Sequence, residues 1–137
     1  MRDKVWIWTG FYLLVYALQT FAYQTNWATA VVGLEKRVVR LEIMTKGGDQ
    51  GVCSGWVVSK ETGYVGTAQH CLDGEIAALT VAGPHAELVR QNKLLDQAVV
   101  RTELKGAENM PLAKSVPLVG SGVAILGNAF GGERLYM

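Results

Sequence analysis

With 137 residues the chain has the length of one domain or part of a larger one, and its composition, half apolar and 18% charged, excludes a disordered tail. Beyond residue 30 the 13 Lys+Arg less Arg2 and Lys4 equal the 12 Asp+Glu less Asp3, so the body is neutral. Without a basic stripe or an acidic block, the electrostatics speak against a nucleic-acid partner. Two cysteines are too few for a structural zinc site, and no metal or organic cofactor is implied.

The N-terminal stretch "MRDKVWIWTGFYLLVYALQTFAY" starts basic, at Arg2 and Lys4, and carries no charge from Val5 to Leu34. Its apolar run, residues 5–23, approaches the ~20 residues of a membrane-spanning helix. Positive charge ahead of such a run holds the N-terminus in the cytoplasm and sends the following chain across. "ATA" at Ala28–Ala30 has the small-x-small form of a signal-peptidase site, whereas the run is also long enough to remain as an anchor. Both readings stay open: residues 1–30 are a signal peptide or a membrane anchor. Either way, residues 31–137 are expected outside the cytoplasm, in a periplasm or secreted.

That body reads as short strands. In "RVVRLEI" (37–43) Val39, Leu41 and Ile43 alternate with Val38, Arg40 and Glu42, the period-two pattern of a half-buried strand. "SGWVVS" (54–59), "GYVGTA" (63–68), "IAALTVA" (76–82), "HAELVRQ" (85–91), "LDQAVVRTE" (95–103) and "GVAILGN" (122–128) continue the series. Gly-rich turn signals lie between them, which indicates an all-β barrel or sandwich. Only "TAVVGLEKR" (29–37) reads as a short helix in the body, and "KGAENMPLAKSVPL" (105–118) reads as a connector. The last residues, Leu135–Met137, look as though they stop inside a strand, so an incomplete domain is expected.

Three features meet at "YVGTAQHCLDG" (64–74). Cys53 and Cys71 bracket two consecutive strands, and in an exported protein such a pair defaults to a disulfide. His70 follows a strand directly, where a side chain is held rigidly yet reaches a cleft. Asp96 interrupts the apolar run "LLDQAVV", where an acid is costly to bury unless paired, and an imidazole is a suitable partner. Against these stand plainer readings. His70 could be a hydrogen-bonded core histidine, His85 reads as a surface residue, and Asp73 reads as a solvated turn acid.

These residues resemble the trypsin-like, chymotrypsin-fold serine peptidases. "GTAQHC" resembles that family's "TAAHC" around the general-base histidine, with Gln69 in place of an alanine. "LLDQAVVRTE" is similar to the strand that carries the triad aspartate. "VVRLE", "SGWVV" and "SGVAILGNAFGG" look like segments of the bacterial high-temperature-requirement branch, as does the short interval from His70 to Asp96. Over residues 31–137 the resemblance implies the first six-stranded barrel of a double β-barrel (31–104). The connector (105–118) and the beginning of the second barrel (119–137) would follow. It implies His70 as general base, Asp96 as its orienter, a Cys53–Cys71 bridge and a polypeptide substrate.

The departure is the nucleophile. The family's "G-[DN]-S-G-G" segment is not in this sequence, and "VGSGVA" around Ser121 lacks the Gly-Gly turn; Ser54, Ser59 and Ser115 are the other serines of the body. The chain is therefore expected to be the N-terminal portion of an exported or anchored serine endopeptidase, inactive alone. A tethered pseudo-peptidase that binds peptides or a partner is the alternative, as is a related peptidase with a cysteine nucleophile.

Overall fold

The computed structural model describes residues 31–128, together with Leu14, Val15 and Thr29. The chain divides into two compact units, Met1–Leu34 and Glu35–Met137. Thr29, Val31 and Val32 are helical and residues 33–37 turn, so the helix expected over 29–37 is shorter than its sequence pattern. Among the described residues no helix is long and apolar enough to cross a membrane. The expected anchor, residues 5–23, lies outside the described residues except for Leu14 and Val15.

Among the described residues the second unit has six strands: β1 (Val38–Thr45), β2 (Gln50–Ser59), β3 (Tyr64–Thr67), β4 (Ile76–Val81), β5 (Ala86–Asn92) and β6 (Gln97–Thr102). A 3-10 turn, Gln69–Leu72, follows β3. The strands form one sheet in the order β4-β1-β2-β3-β6-β5, and every pairing is antiparallel. The two outermost strands, β4 and β5, are neighbours in the chain. They meet through the bridge Thr80↔His85, with the Val81 N–H donating to the Pro84 carbonyl at 2.9 Å. An ordered sheet whose first and last strands touch has to curl, and it does so around one apolar interior.

The alternation of β1 decides which face that interior takes. Val39, Leu41 and Ile43 are buried, while Arg40 and Glu42 turn outwards and pair at 2.7 Å. Leu41, Val57, Val65, Val81 and Val100, from five different strands, are wholly enclosed. Each such side chain contributes ~1.5–3 kcal/mol of apolar transfer, enough to fix the register against a one-residue slip. Gly66 on β3 lies under the Trp56 indole of β2, where a Cβ has no room unless the ring shifts.

Residues 103–126 carry no regular secondary structure. Glu108 and Met110 nevertheless donate backbone N–H groups to the carbonyls of Lys36 and Val57, at 2.9 and 2.8 Å. The Asn109 side-chain oxygen accepts the Lys60 N–H at 2.7 Å. The strand expected over 122–128 is not formed: 121–126 are irregular and Gly127 is a lone bridge residue. Val123 and Ile125 are exposed, because no described strand runs alongside to supply a ladder.

Candidate active site

The register of β3 and β6 generates the site. Thr67 pairs with Ala98, so the three residues after Thr67 and the two before Ala98 leave the same end of the sheet. The first exit is the 3-10 turn that carries His70, and the second is the turn that carries Asp96. Asp96 has φ +50, in the left-handed region where aspartate is one of the more tolerated residues. One residue earlier, the Asn92 side chain accepts the Leu95 N–H at 3.2 Å and tightens this turn.

The two side chains are in direct contact. His70 Nδ1 lies 2.7 Å from Asp96 Oδ2, and the His70 backbone N–H donates to Oδ1 at 2.8 Å. Together, the His70 N–H first and the imidazole second, these donors hold the Asp96 carboxyl below its ordinary range. An ionised carboxylate only accepts, so Nδ1 is the donor and the neutral ring keeps its lone pair on Nε2. An imidazole in that tautomer is suited to take a proton at Nε2 and then be steadied as imidazolium by the carboxylate. No metal-holding group of three or more His, Cys, Asp or Glu occurs among the described residues.

One physical premise behind Asp96 is corrected. The apolar run "LLDQAVV" suggested a carboxylate withdrawn from water, but its side chain is 50% exposed and that of His70 is 69% exposed. Leu95, counted with the strand, and Leu94 before it stand in the turn and face solvent, and β6 begins only at Gln97. The plainer reading of His70 as a core histidine fails on the same exposure.

Cys53 of β2 and Cys71 of the 3-10 turn form a disulfide, with Cα atoms 6.3 Å apart, and no described cysteine is free. The bridge ties the turn that carries His70 to the middle of the sheet. Beside it, the Ser54 hydroxyl accepts the Asn128 N–H at 2.7 Å and donates to Asn128 Oδ1 at 3.2 Å. The Ser54 carbonyl accepts the hydroxyl of the buried Thr67 at 3.0 Å. Ser59, another serine considered from sequence, bonds to the Glu61 carboxylate at 3.2 Å. Ser115 and Ser121 lie in the exposed irregular segment.

Two residues were not singled out as a pair by the sequence. Gln69 is 5% exposed and donates from Nε2 to Asp73 Oδ1 at 2.6 Å. Asp73 is thus exposed, as a turn acid should be, yet it holds a partner. The one sequence signal was Gln69 itself, a polar residue where the resembled motif has alanine. His85 is exposed, and its carbonyl accepts the Thr102 hydroxyl at 2.8 Å.

Six antiparallel strands in one curled sheet are consistent with a chymotrypsin-like barrel. Among solved structures the chain is similar to the Rv3671c protease of M. tuberculosis in its active form, at 22% identity and TM-score 0.69. That match covers 77% of this chain and 47% of the protease. An inactive serine-to-alanine form of the same protease matches at 22% identity and TM-score 0.66, over 77% of this chain and 51% of that one. The serine endoprotease of Yersinia pestis matches at 21% identity and TM-score 0.63, over 74% and 40%. The chain therefore spans about half the length of these proteases or less. No family model matches the sequence, and no curated protein does.

Proposed function

We propose that this chain is the N-terminal portion of an exported or membrane-anchored trypsin-like serine endopeptidase, of the high-temperature-requirement type. The observation that carries the reading is the bidentate hold of Asp96 on His70, through Nδ1 and the backbone N–H together. His70 is the general base that takes the nucleophile's proton at Nε2 and later returns it to the leaving amine. Asp96 fixes the tautomer and balances the imidazolium. The nucleophile and the oxyanion donors come from sequence outside these 137 residues, and the substrate is a polypeptide. The disulfide supports an extracytoplasmic setting, since such bridges persist in oxidising compartments.

The complete reading frame tests this. A "G-x-S-G-G" segment downstream, and labelling of its serine by a fluorophosphonate probe that is lost in His70→Ala, are the expected results. A cysteine in that segment would redirect the reading to a cysteine peptidase. The absence of any such segment would leave the non-catalytic, peptide-binding alternative. The 137-residue chain alone should hydrolyse no peptide; turnover abolished by His70→Ala would refute the assignment of the nucleophile elsewhere. A reporter active only outside the cytoplasm, fused after residue 40, should be active, and a stable but inactive fusion would overturn export.

A further inference from the structure

The backbone bonds at the two ends of the 3-10 turn that carries His70 are long. The Cys71 N–H reaches the Ala68 carbonyl at 3.3 Å, and the Asp73 N–H reaches that of His70 at 3.4 Å, both at the long end of useful bonds. Its first N-terminal cap position, Ala68, has no side chain to offer a capping bond. Yet this turn presents the His70 N–H that grips Asp96.

We infer that the Gln69–Asp73 hydrogen bond is a staple that positions His70 and Asp96. Gln69 is the first residue of the turn and Asp73 is its C-cap, so one side-chain bond of 2.6 Å spans the turn from end to end. The Gln69 end is buried, which restricts its rotamers, and a bond from an amide to a carboxylate is stronger than a neutral one. With the ends clamped, the His70 N–H stays aimed at Asp96 Oδ1. The carboxylate that it holds then sets Nδ1. Gln69 and Asp73 touch neither substrate nor the reacting atoms; they act through the turn. The disulfide at Cys71 and the buried Leu72 fix where the turn sits, whereas the staple fixes how it is wound.

This positioning role rests on the proposed role of His70, and the two are separable by experiment on the oxidised 137-residue protein. The readouts are the low-field proton signal of an imidazole Nδ1–H bound to carboxylate, the titration of the Asp96 carboxyl by NMR, and amide exchange at His70. Gln69→Met keeps the side-chain length and removes the donor; Asp73→Asn keeps an acceptor oxygen in place. In Gln69→Met the low-field signal should broaden or vanish and the Asp96 carboxyl should titrate closer to its ordinary value. Amide exchange at His70 should quicken about tenfold, equivalent to about 1.4 kcal/mol. Asp73→Asn should largely preserve all three, and Asp73→Ala should reproduce the loss. If Gln69→Met folds with its disulfide intact and leaves the three readouts unchanged, the staple is refuted. If the unaltered protein itself shows no Nδ1–H signal and no lowered Asp96 titration, the His70–Asp96 reading fails instead. Should Gln69→Met not fold, the Asp73→Ala and Asp73→Asn contrast, made at the exposed end, decides the question by the same readouts.

Discussion

Replacing both cysteines, Cys53→Ala with Cys71→Ala, measures how much of the histidine turn's placement is covalent. The bridge joins residues separated by 18 in sequence. In the chain-entropy treatment, opening a loop of that size frees the unfolded chain by about 3 kcal/mol. Both side chains are only partly buried against the core, so lost packing adds little. Against a typical stability of roughly 5–15 kcal/mol this is a large share. Urea unfolding followed by tryptophan fluorescence gives the direct assay. With m near 1–3 kcal/mol/M, the midpoint should fall by about 1–3 M in the double variant. Reduction of the unaltered protein should give a matching fall. The thermal midpoint should drop by roughly 12–24 °C for a body of this size. An unchanged midpoint at unchanged m would refute the reasoning, for the bridge would then constrain nothing that the sheet does not already hold.

Other outcomes follow from the same geometry. Asp96 has a lowered pKa, so the stabilisation from its ionised form is complete above the ordinary aspartate value and is lost as pH falls through the lowered one. The stability difference between the protein and Asp96→Asn should therefore shrink below about pH 4; a difference constant from pH 5 to the acid limit of folding contradicts it. Gly63 has φ +73, and a Cβ there collides with the Thr102 carbonyl, so Gly63→Ala should cost well over the ~1–2 kcal/mol of the left-handed backbone alone. A loss under 0.5 kcal/mol on denaturant titration, roughly the scatter of an ordinary surface change, would show that the turn relaxes freely. Ser54→Ala removes both its bonds to Asn128 and should cost about 1 kcal/mol while quickening amide exchange at Asn128; unaltered exchange would show that the contact holds nothing.

The sequence made the barrel legible where each strand has a wet face and a dry one. In β1 the Val39, Leu41 and Ile43 triplet carries the period that places the interior, and β6 does the same with Ala98, Val100 and Thr102. Pattern failed where apolar residues serve no sheet: Leu95 opens the apparent strand at 95–103, but a left-handed Asp96 delays the strand to Gln97. It failed again at 122–128, since alternation states only that a strand would be amphipathic, and a ladder needs a neighbour. At the site, the meeting of His70 and Asp96 was expected from chemistry, while the reason given for it, a buried acid, was mistaken. The carboxylate is held by a backbone donor in partial solvent, a geometry that no side-chain pattern encodes. Gln69 and Asp73, four residues apart in an irregular region, carried no periodic signal that would have linked them.

The left-handed backbone at Asp96 also limits what can ever replace it. Conformation admits glycine, asparagine and aspartate readily, and resists glutamate. Charge admits aspartate and glutamate, but the extra methylene of glutamate displaces the carboxylate by about 1.5 Å, more than two simultaneous hydrogen bonds tolerate. The two requirements are independent, and only aspartate meets both. A library of every residue at position 96 should thus split into two overlapping sets. One keeps the fold and includes asparagine and glycine, the other keeps the paired carboxylate, and a single member belongs to both.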